Sequence, residues 1–260
     1  MFSTDEHDVL EPYRDLARRL ERMELSVRRL EGSVYQLEIA LDALIVSPKY
    51  VPDDVVAFNG QAERKRIFAD IVSAVPFDAI VETGTCLGDT TRYMSRTTRQ
   101  RVYSCELRQT FYSLAKMRLA GLTDIHLELT DSRRFLRKLG QNELVDKYVF
   151  FYLDAHWYDD LPLAEEIDII GSYWKQFVVM IDDFKVPCDP DYGYDDYGGD
   201  KVLGLELLRT VLSKQNLAVY FPAASSKEET GARRGCVVAA PKGEMSQKLS
   251  QLASLRRWKG

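Results

Sequence analysis

Two hydrophobic rhythms divide the chain. From Tyr13 through Leu16, Leu20, Met23, Val27, Leu30, Val34, Leu37 and Leu41 to Leu44, apolar residues recur at alternating steps of three and four. That spacing predicts a coiled-coil seam from Tyr13 to Leu44, a rod roughly 45–50 Å long at about 1.5 Å per residue, within an N-terminal coiled-coil helix over residues 1–46. Val27 and Val34 fall at a positions and mainly Leu at d, which favours a parallel dimer. Arg19 at g and Glu24 at the next e are placed to pair between chains. One long helix folded back onto its own domain is the alternative.

After the helix-breaking segment Ser47-Pro48-Lys49-Tyr50-Val51-Pro52, which opens a linker over 47–60, the rhythm changes. Residues 61–75 form an amphipathic helix ended by Pro76. Short apolar runs then alternate with helical patterns. Strands are predicted at 79–83, 101–106, 124–129, 147–154, 176–182, 217–221 and 235–240, with helices near 89–97, 108–119, 132–139, 160–174, 201–214 and 244–258. Such alternation implies right-handed crossovers and a doubly wound, mostly parallel α/β sheet of seven strands over 61–260. Leu249, Leu252 and Leu255 share one face of the expected last helix.

In open α/β sheets ligands bind beyond the carboxyl ends of the strands, so those ends carry the candidate chemistry. The first strand ends in Glu82-Thr83-Gly84-Thr85-Cys86-Leu87-Gly88, followed by a helix start at Asp89-Thr90. Glycines 84 and 88 remove side chains where backbone must pass close to a ligand. The spacing is not the Gly-x-Gly-x-x-Gly of dinucleotide sites, and a carboxylate before the turn favours a cationic ligand over a phosphate. The stretch resembles the first motif of class I S-adenosylmethionine (SAM) methyltransferases, in which a further glycine stands at the place of Cys86. That resemblance implies a Rossmann-like fold whose seventh strand is antiparallel. It also implies SAM as cofactor, held around Glu82, Gly84, Thr85 and Gly88. Glu106, ending the second strand, would take the ribose hydroxyls, and Asp131 with Ser132, after the third, would meet the adenine. Read alone, Glu106 is equally a solvated residue opening a helix, and Asp131 an N-cap.

The fourth strand ends at Asp154 and the fifth at Asp182-Asp183. Three carboxylates at adjacent strand ends repel one another unless a cation lies between them, and oxygen ligands of this kind suit Mg²⁺. The alternative is that Asp154 lines the SAM pocket while the pair caps a loop. The two clusters resemble the metal site of divalent-cation-dependent O-methyltransferases, catechol-type and sugar enzymes among them. His156 lies two residues past Asp154, beside Trp157 and Tyr158, and is the candidate general base. The acidic, Tyr- and Gly-rich stretch 187–200 reads as a lid or binding loop, or simply an exposed loop. Arg233-Arg234 reads as a solvated turn rather than an anion site.

Composition narrows the partners. A formal charge of −5 disfavours nucleic acid. No stretch is long enough to span a bilayer, and the N-terminus lacks a secretion pattern. Four cysteines at 86, 105, 188 and 236 show no paired spacing, which fits a reducing cytoplasm. The expectation is a SAM-dependent, Mg²⁺-assisted O-methyltransferase acting on a small polyhydroxylated acceptor and self-associating through its coil. A metal-independent methyltransferase is one rival. A non-catalytic assembly protein with a SAM-fold platform is another.

Overall fold

The computed structural model describes residues 56–156, 160–199 and 201–259, with helical residues at Arg19, Leu20, Arg22, Met23, Glu24, Ser26, Val27, Leu30 and Val34. The rest of the N-terminal seam, Trp157 and Tyr158 lie outside the described residues. By its contacts the chain divides into two units, Met1–Pro48 and Lys49–Gly260. Among the described residues no helix is long and apolar enough to cross a membrane.

The second unit is an eight-stranded sheet in the order β3-β2-β1-β4-β5-β7-β6-β8. The strands are β1 (Ala79–Thr83), β2 (Arg101–Glu106), β3 (Ile125–Leu129), β4 (Val149–Leu153), β5 (Phe177–Ile181), β6 (Leu217–Pro222), β7 (Val237–Pro241) and β8 (Leu255–Arg257). The first five run parallel, and β7 lies antiparallel to both β5 and β6. The central runs Val-Phe-Phe-Tyr-Leu and Phe-Val-Val-Met-Ile are buried throughout, as strands covered on both faces must be. Even-numbered Ile80, Phe150, Tyr152, Val178 and Met180 meet helix α1 (Ala62–Ala74) in one core. Odd-numbered Val81, Phe151, Leu153, Val179 and Ile181 meet helices α4 (Ser132–Leu139), α5 (Leu163–Tyr173) and α6 (Leu205–Lys214) in the other. The remaining helices are α2 (Asp89–Thr98), α3 (Gln109–Arg118) and α7 (Glu244–Leu249).

Two expectations are corrected here. The sheet has eight strands, not seven, and the last helix stops at Leu249 rather than running to 258. The 3-residue spacing of Leu249, Leu252 and Leu255 suggested one helical face. The chain instead turns at Ser250–Ser254, so that Leu255–Arg257 pairs antiparallel with β6. Ala223 N–H donating to Ser254 O at 2.9 Å and Trp258 N–H to Val219 O at 2.8 Å fix the two ends of that pairing. The last residues assigned to the linker are also part of the core. Phe58, 1% exposed in the short 3₁₀ turn Ala57–Gly60, packs edge-on against Tyr152 with ring centroids 5.1 Å apart.

Candidate active site

Register places the site. Thr83 pairs with both Cys105 and Leu153, and Leu153 with Ile181, so Gly84, Glu106, Asp154 and Asp182 emerge along one edge. Asp154 N–H donates to Thr83 O at 2.9 Å and Asp182 N–H to Leu153 O at 3.1 Å, which carries the ladder one residue past each strand.

On the β1–β2–β3 side the acids are satisfied by the chain itself. Glu82, 1% exposed, accepts from Ser104 Oγ at 2.6 Å and from Thr91 Oγ1. Burial pushes its carboxyl up to about 7, although both hydroxyls work against that. Thr85 is buried with its hydroxyl 2.6 Å from Ser104 Oγ. Glu106 accepts from Cys86 N–H at 2.9 Å and Arg108 N–H at 2.8 Å, closing the turn against the end of β2. Burial raises its pKa, and those backbone donors oppose the rise.

Gly84 has φ +86°, and a Cβ there would meet Asp154 O at 2.3 Å, so only glycine allows β1 and β4 to end this close together. Gly88, φ +80°, sits just ahead of α2. Cys86 keeps a left-handed φ of 49° although it carries a side chain. The turn therefore holds a glycine-like backbone where glycine is missing, at a cost of about 1–2 kcal/mol. Asp131 caps α4, accepting from Arg133 N–H at 3.0 Å and Arg134 N–H at 3.2 Å, and the Arg133 guanidinium holds its pKa low. Ser132, 5% exposed, follows it.

On the β4–β5 side the balance differs. Asp154, His156 and Asp183 each offer a ligand atom within 4.8 Å of the others. The His156 side chain is fully buried, yet neither ring nitrogen has a hydrogen-bond partner. Its Nε2 lies 3.9 Å from Asp154 Oδ1 and 3.8 Å from Asp195 Oδ2. Burial lowers the imidazole to about 4, so it is neutral at physiological pH. Asp154 is pushed well upward by burial and by the Asp183 charge, and Asp195 rises to about 6 for the same two reasons. An orphaned imidazole facing two such carboxylates fits a divalent cation that accepts mixed N/O ligands.

Asp182 is not part of this group. Its place in the strand turns it toward the α1 face, where it is fully buried, pairs with Arg64 and accepts from Tyr152 Oη. It also accepts from Asp183 N–H at 2.6 Å, and so holds Asp183 in its left-handed conformation, φ 53°. Arg64 and Arg234 are site positions the sequence did not reveal. Arg64 sits in a helix whose charged run Glu-Arg-Lys-Arg looks solvent-facing, yet it is 1% exposed. Arg234, expected in a solvated turn, pairs with both Asp183 and Asp195. The described part of the 187–200 stretch, 187–199, reaches this edge through Asp195, whose N–H donates to Asp183 O at 2.9 Å.

The parallel order with an antiparallel β7 is that of the Rossmann-like fold of class I SAM-dependent methyltransferases. No protein-family model matches the chain, and no curated protein matches it either. Among solved structures it is similar to the O-methyltransferase TomG from Streptomyces achromogenes, involved in tomaymycin synthesis and solved with SAM. Identity is 18%, with 80% of this chain and 90% of that one covered at a TM-score of 0.54. It is also similar to an O-methyltransferase from Bacillus cereus solved with S-adenosylhomocysteine (SAH), at 15% identity, 80% and 89% coverage and a TM-score of 0.52. At such identities the likeness is one of fold.

Proposed function

We propose that this chain is a SAM-dependent O-methyltransferase that uses a divalent cation, Mg²⁺ first, to methylate a hydroxyl of a small polyhydroxylated acceptor such as a sugar or glycosylated natural product. The observation that carries the reading is the buried, unpartnered His156 between Asp154 and Asp195 at the strand ends, beside the Glu82–Gly88 turn. SAM would be held by that turn, by Glu106 and by the Asp131-Ser132 cap. It supplies an electrophilic methyl group. The cation would be held by Asp154, His156 and Asp183, and would supply Lewis acidity toward an acceptor hydroxyl.

The chain's own residues divide the remaining work. Asp182, Arg64 and Tyr152 orient Asp183 from behind. Glu106 and Gly84 shape the backbone against which the cofactor lies. His156 fits the metal set better than the role of general base. Neutral imidazole is the form a metal takes, and a group held near 4 stores a proton poorly at neutral pH.

A second reading, methyl transfer without a metal, has support in Arg234, which already places one cation between Asp183 and Asp195. In that case His156 is the proton acceptor.

Self-association would use the N-terminal seam. Its described members Leu20, Met23, Val27, Leu30 and Val34 are each more than half exposed on helical backbone. Light scattering should find a dimer, and a full-length monomer would contradict this. Free thiols at all four cysteines are in keeping with a reducing compartment.

Calorimetry tests the function directly. SAH should bind and NAD should not, and turnover with a panel of glycosides and catechols should vanish in EDTA and return with Mg²⁺ or Mn²⁺. Tight NAD binding without a response to SAH would overturn the assignment. Full turnover in EDTA would leave the metal-free reading.

A further inference from the structure

The candidate metal site already contains a cation. Arg234 donates from Nε to Asp183 Oδ1 and from Nη2 to Asp195 Oδ1, so one guanidinium joins a strand-end carboxylate to a loop carboxylate. Its main chain is gripped on both sides. The N–H donates to Gln61 Oε1 at 3.1 Å, and the carbonyl accepts from Gln61 Nε2 at 2.8 Å and from Arg64 Nη2. Gly193 and Arg234 form a bridge, with Gly193 N–H donating to Arg233 O at 3.0 Å and Gly235 N–H to Gly193 O at 2.8 Å. The stalk of the guanidinium and the loop it reaches are therefore fixed against each other. Asp183 is equally constrained, its N–H taken by Asp182 and its carbonyl by Asp195 N–H.

Charge decides what such an arrangement does. Asp182 and Arg64 neutralise each other in their own buried pair. In front of them lie the carboxylates of Asp154, Asp183 and Asp195, the His156 ring and one guanidinium. That guanidinium reaches Asp183 and Asp195, and Asp183 is also one of the three residues whose ligand atoms converge. Asp183 is thus claimed by both the guanidinium and the ion, and two cations sharing one carboxylate repel.

We infer, building on the metal reading above, that Arg234 is a resident counter-cation competing with the divalent ion for Asp183, and that Asp195 is the carboxylate that retains the guanidinium when the ion takes Asp183. Arg234 thus sets metal affinity by opposition. Asp195 raises that affinity, and it ties occupancy of the site to the 187–200 loop that carries it. A guanidinium that merely scaffolds Asp183 makes the opposite prediction, because its loss would weaken metal binding.

The sign of one affinity change separates the two. Mn²⁺ binding would be measured by calorimetry and by electron paramagnetic resonance on the full chain, in the absence of acceptor. Arg234→Met should bind Mn²⁺ about tenfold more tightly than wild type, the scale for deleting one partly screened charge beside the ion. Arg234→Lys, which keeps the charge, should stay close to wild type. Asp195→Asn should bind several-fold more weakly, because the guanidinium then falls wholly on Asp183, and this variant serves if Arg234→Met does not fold. Wild type binding Mn²⁺ with Arg234→Met equal or weaker, or with Asp195→Asn unchanged, would overturn the inference and leave the metal reading standing. No Mn²⁺ binding by wild type or by Arg234→Met would remove the metal reading and this inference together.

Discussion

The two halves of the strand-end edge treat their acids differently. Around β1, β2 and β3, Glu82 rests on Ser104 and Thr91, Glu106 on two backbone N–H groups, and Asp131 on the first turn of α4. Around β4 and β5, Asp183 and Asp195 share one arginine, and the imidazole among these acids and Asp154 has no partner. Buried polar groups in native proteins are nearly always paired. The edge-facing acids of the first half are paired within the chain, whereas the second half leaves an imidazole unpartnered. On the proposed reading the first half fixes the backbone turn and the second holds ligand atoms for a cation.

That contrast can be broken most sharply at Asp183. Asp183→Asn keeps the shape and removes a charge, so Mn²⁺ affinity and turnover should each fall by at least about 10²-fold while SAH affinity stays within a few-fold. Equal losses of SAH and Mn²⁺ binding would mean that the halves are one unit.

Gly84→Ala probes the first half. The new Cβ would meet backbone at Asp154 O, 2.3 Å away, in a residue at φ +86°. Stability should drop by about 2 kcal/mol or more, and SAH affinity should fall with it, as thermal melts and calorimetry would record. Unchanged SAH binding would show that the turn does not carry the cofactor.

A final expected effect, on stability and its pH dependence, concerns Glu166 on α5, fully buried beneath Ser132 and Thr83, whose oxygens make no well-aligned hydrogen bond. Burial raises it from 4.5 to about 7, with those two hydroxyls opposing. The folded state therefore holds a proton that the unfolded chain releases, and this contribution to stability is lost as pH rises between those values. Glu166→Gln does not titrate. It should match wild type near pH 4 and exceed it by roughly 3 kcal/mol at pH 8 in denaturant unfolding. A pH-independent difference would count against the raised pKa.

Much of this edge was legible in advance because strand ends are. The runs ending at Glu82, Glu106, Asp154 and Asp182 are apolar, short and separated by helical patterns, and parallel register then brings their ends together without further information. What the chain order hides is which neighbour each acid meets. Asp182 and Asp183 look interchangeable in sequence, yet the two-residue period of β5 sends one to Arg64 behind the sheet and leaves the other in front. Arg64 and Arg234 carry no local signal, since an arginine in an amphipathic helix or a turn is ordinarily solvated. β8 was hidden by its brevity and by three leucines at helical spacing.

The central claim is that one half-edge takes SAM and the other a divalent cation. Crystals of the protein grown with SAH and Mn²⁺ test both at once through anomalous scattering. The account predicts a manganese peak among Asp154, His156 and Asp183, with SAH along Glu106 and the Gly84 turn and Arg234 drawn to Asp195. SAH bound with no manganese at those three residues, and Arg234 still on Asp183, would contradict it.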